Sequence, residues 1–189
     1  MTRAAAPLAL AVSLVTTRPG ATLAAQQPAQ VAPSDAVRAR PADVASIDAI
    51  VGALYEVISG PAGQPRDWAR FRSLFAPGAR LIPTAVRPDG RASLTSLGVE
   101  DYIARVRERF ERDGFFEVEI GRQTATFDAV TQLFSAYASR RSADDATPFA
   151  RGVNSIQLFH DGTRWWIVTV YWAAERPGAL IPEGLLRKN

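Results

Sequence analysis

A change of hydrophobic period at Gly114 constrains this chain more than any other feature of its sequence. Before it, apolar residues recur every three or four positions; after it, they alternate with polar ones. Ile47, Ile50, Val51, Leu54 and Ile58 fall on one helical face, with Ser46 as a candidate N-cap and Gly60-Pro61 as a stop. A second helix opens at Gly63 to Pro65, presents Trp68, Phe71, Leu74 and Phe75, and ends at Pro77-Gly78. Residues 79–84 read as a short strand and 87–91 as a turn. A third helix begins near Val99, carries Tyr102, Ile103, Val106 and Phe110 on one stripe, and closes at Gly114. Its Arg-rich remainder reads as a solvated face with pairs such as Glu108 and Arg112.

Beyond Gly114, Phe116, Val118 and Ile120 alternate with Glu117 and Glu119. This phase turns the glutamates to solvent, although a slip of one residue would bring both inside. Further strands are expected at 130–141, 151–160 and 163–173. Asp161-Gly162 predicts a two-residue hairpin loop, which sets Leu158 opposite Trp165, Ile156 opposite Ile167 and Asn154 opposite Thr169. Both faces of that hairpin are apolar, so both need a cover or one is an interface. Helices followed by strands give an α+β chain: three helices packed on a strongly curved antiparallel sheet, a cone-shaped barrel.

Composition narrows the chemistry. The chain has no Cys, which excludes thiol nucleophiles, disulfides and thiolate metal sites, and a single His, His160, which excludes multi-His metal centres. No cofactor or metal is expected. Lys+Arg number 22 against 19 Asp+Glu, but Arg3 and Arg18 precede Gln26, leaving a near-balance of 20 to 19 beyond it. Such a chain has no long-range positive field for nucleic acid.

Residues 1–25 combine an early Arg3, an apolar run from Ala4 to Val15 and small residues at Ala24-Ala25, the layout of a secretory signal. The run is too short to span a bilayer, so an exported protein, periplasmic or secreted, is expected. Residues 26–42 carry few large apolar side chains and read as a flexible tether. Residues 43–189 form the folded domain and its apolar tail.

Three stretches carry a family resemblance. They are Asp67 to Phe75 (DWARFRSLF) with Ala79-Arg80-Leu81-Ile82, then Thr131 to Tyr137 (TQLFSAY), then Arg151 to Trp172 (RGVNSIQLFHDGTRWWIVTVYW). In this order and spacing the chain resembles the SnoaL-like bacterial branch of the nuclear transport factor 2-like (NTF2-like) superfamily over about residues 43–186. The resemblance implies a helix-capped cone with an internal apolar pocket, and a homodimer formed through the sheet. Relatives include isomerases, dehydratases, cyclases, an epoxide hydrolase and non-catalytic binding domains. Where many of them carry His on the last strand, this chain has Thr169 and Tyr171.

Alternation and the resemblance together place Thr131, Leu133, Ser135 and Tyr137 inward on one strand. On the hairpin they turn inward Asn154, Ile156, Leu158, Trp165, Ile167, Thr169 and Tyr171; the helices add Tyr55, Trp68, Phe71, Phe75 and Tyr102. The expected ligand-binding set is therefore Tyr55, Trp68, Phe71, Tyr102, Ser135, Tyr137, Asn154, Thr169 and Tyr171: aromatic, with neutral polar groups and no inward carboxylate. Such a lining suits a small apolar molecule held by one or two hydrogen bonds. It favours a binding domain over a catalyst. The alternative is an isomerase or lyase whose base is a helix carboxylate (Glu56, Asp67 or Asp101), with Tyr137 or Tyr171 as hydrogen-bond donor. A third reading is a scaffold whose interior is filled and holds no void.

Overall fold

The computed structural model describes residues 38–87 and 89–187. The signal-like segment 1–25 and residues 26–37 of the tether lie outside the described residues.

The first helix, α1 (Pro41–Val44), falls where the sequence reads as the tether's end. It is held down by Asp43, whose carboxylate takes a two-pronged bond from Arg70 at 2.7 and 2.8 Å. That pairing keeps Asp43 ionised below its usual range. Helix α2 (Ile47–Ile58) begins at Ser46, whose hydroxyl accepts from the Ala49 amide. Helix α3 (Trp68–Ser73) is shorter than expected: Asp67 caps it by accepting from the Arg70 amide, and the chain is already a strand at Phe75.

Strand β1 (Phe75–Val86) absorbs Pro77-Gly78 as an irregularity, with Gly78 at φ 79°, and pairs with β2 (Ala92–Leu94). Helix α4 (Val99–Asp113) leads to β3 (Phe116–Phe127), β4 (Val130–Arg140), β5 (Ala150–His160) and β6 (Trp165–Ala174). The sheet has six strands in the order β2-β1-β6-β5-β4-β3. It is open, and it is not wholly antiparallel as expected, because β1 enters beside β6 in parallel, with Leu81 opposite Val170. From β2 at one edge the chain crosses through α4 to β3 at the other and returns through β4 and β5, so β1 and β6 are joined by the long crossover that parallel neighbours require.

The core joins Ile50, Phe71 and Leu74 of the helical half to Leu133, Ile156, Leu158 and Ile167 of the strands, all fully buried. Arg66 ties the helical segments together. Its buried guanidinium donates to the carbonyls of Ile58, Gly60, Pro61, Gln64 and Phe110. The tail ends in a single 3-10 turn (Glu183–Leu186) laid on β3, where the Arg122 amide donates to the Arg187 carbonyl. Gly121 is required there, since a Cβ would strike the backbone of Leu185 and Leu186. The tail thus covers part of an edge strand that would otherwise be open to pairing. Among the described residues no helix is long and apolar enough to cross a membrane.

Candidate active site

Strand β4 sets the site. Thr131, Leu133, Ser135, Tyr137 and Ser139 alternate on its buried face. On β5, Gly152, Asn154, Ile156 and Leu158 oppose Tyr137, Ser135, Leu133 and Thr131 and share that face. Gly152 gives the Tyr137 ring its place, for a Cβ there would collide with the phenol and with the Ala173 carbonyl.

The neighbouring strand, β3, departs from its hydrophobic alternation. Its register with β4 shifts between Glu119 and Gly121, so Glu117 lies opposite Ser139 and Glu119 opposite Tyr137. The extra residue at Ile120 inverts the expected phase of the strand's first half. Glu117 and Glu119 point inward and Val118 is exposed, the reverse of the sequence expectation. Past the shift, Arg122 comes onto the same face as Glu119 and binds it through two nitrogens, at 2.8 and 2.9 Å.

A second shift corrects β6. The loop after β5 is four residues long rather than two, Asp161 to Arg164, and closes with His160 opposite Trp165. The Asp161 carboxylate holds the loop by accepting from the amides of Thr163 and Arg164 and from the Trp166 indole. That change alone preserves the expected facing. The register then shifts again between Gln157 and Leu158, which brings Val170 and Trp172 inward, opposite Ile156 and Asn154. Thr169 and Tyr171, both expected to line the pocket, face away from it, and Tyr171 is 43% exposed.

These strands and the helices line a partly open cavity of about 180 Å³. Of the expected residues, Phe71, Tyr102, Tyr137 and Asn154 line it. Trp68 does not; it packs edge-on against Phe71 in the core. Tyr55 and Ser135 lie one layer behind the wall, in the hydrogen-bonded chain described below. Sequence reasoning missed Glu117, Ser139, Val170, Trp172 and Arg109. The small polar residues Ser135 and Ser139 on the buried stripe are the available signal, since each meets an acid in the fold.

Glu117 is the carboxylate that lines the cavity. Its carboxylate accepts a 2.7 Å bond from Ser139 Oγ. Burial pushes its pKa up to about 7, against the opposing hydrogen bonds from Ser139 and Asn154. The Asn154 amide also donates to the Tyr55 hydroxyl at 2.9 Å. Ser135 Oγ donates to Glu119 at 2.6 Å, so it must accept from Tyr55, 2.7 Å away. The chain Asn154, Tyr55, Ser135, Glu119 therefore runs in one direction and ends on a carboxylate paired with Arg122. Through it Asn154 is fixed with amide hydrogens for both Tyr55 and Glu117.

Burial first, and the charge of Glu117 second, raise the pKa of the Tyr102 and Tyr137 hydroxyls, so both remain protonated donors. The cavity therefore combines one carboxylate near neutrality, two phenols, the Arg109 guanidinium, Ser139 and Asn154 with an aliphatic and aromatic remainder.

The helix carboxylates considered as bases are engaged elsewhere. Glu56 is exposed and pairs with Arg70, Asp67 caps α3 and pairs with Arg40, and Asp101 accepts from the Gly98 amide at the start of α4. His160 stacks at a tilt on Trp165 away from the cavity. Among the described residues no group of three or more His, Cys, Asp or Glu is placed to hold a metal ion.

Solved structures similar to this chain exist. The chain is similar to the Kfla4162 protein of Kribbella flavida, with a TM-score of 0.51 and 11% identity, covering 70% of this chain and 90% of that one. It is also similar to a protein of unknown function with a cystatin-like fold from Nostoc punctiforme (TM-score 0.49, 11% identity, 67% and 86% covered). An NTF2-like protein of unknown function from Shewanella baltica matches at TM-score 0.40 and 11% identity, with 67% and 89% covered. At 11% identity the likeness to the Kribbella flavida protein is one of fold alone. No protein-family model matches the sequence, and no curated protein does.

Proposed function

We propose that this chain is a proton-transfer enzyme of the isomerase or lyase type, acting on a small, largely apolar carbonyl compound. In this reading the helical segments and a curved sheet form a cup, and Glu117 is the base within it. The observation that carries the proposal is Glu117 itself, a buried carboxylate lining the cavity with its pKa raised to about 7. A base poised there abstracts a proton next to a carbonyl and returns it without a large energetic mismatch at either step. Tyr137 donates a hydrogen bond to the carbonyl oxygen as negative charge develops on it, and Asn154 steadies the ionised form of Glu117 between turnovers. The reading as a binding domain rests on a lining without an inward carboxylate, and the presence of Glu117 in the lining favours proton transfer over it.

The test is hydrogen exchange. Small cyclic ketones and enones in D2O should take up deuterium at the carbon next to the carbonyl when the protein is present. Glu117→Gln should slow that uptake at least a hundredfold. Uptake that is absent across the panel, or unchanged in the variant, would overturn the proposal.

The same reading carries two wider proposals. The enzyme is exported, with the mature chain beginning after residues 1–25; N-terminal sequencing of protein recovered outside the cytoplasm tests this. It acts as a homodimer through the sheet face that bears Phe134, Phe159, Val168 and Tyr171, which leaves large apolar side chains exposed. Light scattering on Phe159→Glu should then show a shift from dimer to monomer.

A further inference from the structure

Among the described residues only two charged side chains line the cavity, Glu117 within it and Arg109 on α4. Their situations differ. Glu117 is satisfied by Ser139 and Asn154. Arg109 is exposed and has no ion pair among the described residues, its guanidinium resting 5.7 Å from the ring centre of Phe110, itself part of the cavity wall. Arg105 and Arg107 of the same helix also lack an ion pair among the described residues, but neither lines the cavity, whereas Arg112 and Arg141 pair with Asp113. Arg109 is close enough to the cavity for its charge to oppose the rise in the Tyr102 pKa. The cavity thus joins aliphatic and aromatic side chains to a proton acceptor inside and, in its wall, a cation that no carboxylate among the described residues binds directly.

Resting on the reading of this cavity as a substrate site, we infer that its substrate is a small carboxylic acid, whose apolar body fills the cavity while Arg109 takes its carboxylate. Size supports this, because a space near 180 Å³ is about that needed for one six-membered ring, a dry cavity of roughly 150 Å³ being able to hold benzene. Charge supports it as well. A single planar guanidinium matches a carboxylate through two parallel bonds, and one cation neutralises one negative charge. A phosphate dianion would keep a surplus negative charge beside the Glu117 carboxylate. Arg109 would act as a specificity residue that orients the substrate with its acid end at α4 and its reacting carbon toward Glu117.

The probes are phenylacetate and its neutral isostere phenylacetamide, titrated calorimetrically into the full chain. The wild type should bind the acid at least tenfold more tightly than the amide. Arg109→Gln should erase that preference and leave the amide's affinity within twofold, whereas Arg112→Gln, with the same change of net charge, should preserve it. The preference should also survive in Glu117→Gln, which separates binding from proton transfer. Equal binding of the two probes by the wild type, or a preference untouched in Arg109→Gln, overturns the inference and leaves the proton-transfer proposal standing. Binding of neither probe overturns both this inference and the reading of the cavity as a substrate site. A preference seen together with failure of the deuterium test keeps the acid site and removes the catalysis.

Discussion

At the scale of single residues, the account turns on what surrounds the Glu117 carboxylate. Asn154 gives one amide to that carboxylate and to Tyr55, so Asn154→Ala leaves two buried oxygens short of a donor. The expected cost is about 2 kcal/mol in denaturant unfolding. The Glu117 pKa should rise further, because the lost bond favoured its charged form. Tyr137→Phe removes a donor but keeps the ring on Gly152, so folding should hold within about 1 kcal/mol while deuterium uptake falls tenfold or more. If Tyr137→Phe unfolds the protein and spares exchange in the folded fraction, Tyr137 is a packing residue only.

At the scale of elements, the sequence made the three main helical faces legible, along with the strand segments and the inward stripes of β4 and β5. Period and turn chemistry act locally on all of them. Two register shifts decide the remainder. One at Ile120 swings Glu117 and Glu119 inside; the other, on β6, swings Thr169 and Tyr171 out and brings in Val170 and Trp172. A bulge adds one residue to a strand without a reliable mark in composition, and every residue beyond it changes face. The α1 contact was hidden for another reason. It depends on Asp43 meeting Arg70, 27 positions away, in a stretch too polar to suggest packing. Arg66 offers a test at this scale. Arg66→Ala abandons five carbonyls in the junction of α2, α3 and α4, and should cost about 3 kcal/mol or more in thermal or denaturant unfolding. Arg66→Lys should recover little, since an ammonium cannot span the same fork. Full stability in Arg66→Ala would show that packing alone fixes this junction.

At the scale of the whole molecule, a raised carboxyl pKa links the site to global stability. Folded Glu117 holds its proton up to about pH 7, whereas in the unfolded chain it releases it near 4.5. Between those values the folded state binds more protons, so this group's contribution is complete below pH 4.5 and is lost as the pH rises toward 7. The loss is about 3 kcal/mol, and above pH 7 it stays constant. Glu117→Gln should therefore be less sensitive to pH than the wild type across that window, and the two stability curves should converge toward low pH after a constant offset. Parallel curves would mean that the carboxylate is no more buried in the folded chain than in the unfolded one. The most direct measurement is the carboxyl ¹³C resonance of Glu117, identified by its absence in Glu117→Gln and followed across pH in the intact protein. A midpoint near 7 is the result expected of a buried base lining the cavity; a midpoint near 4.5, that of a solvated glutamate, would contradict it.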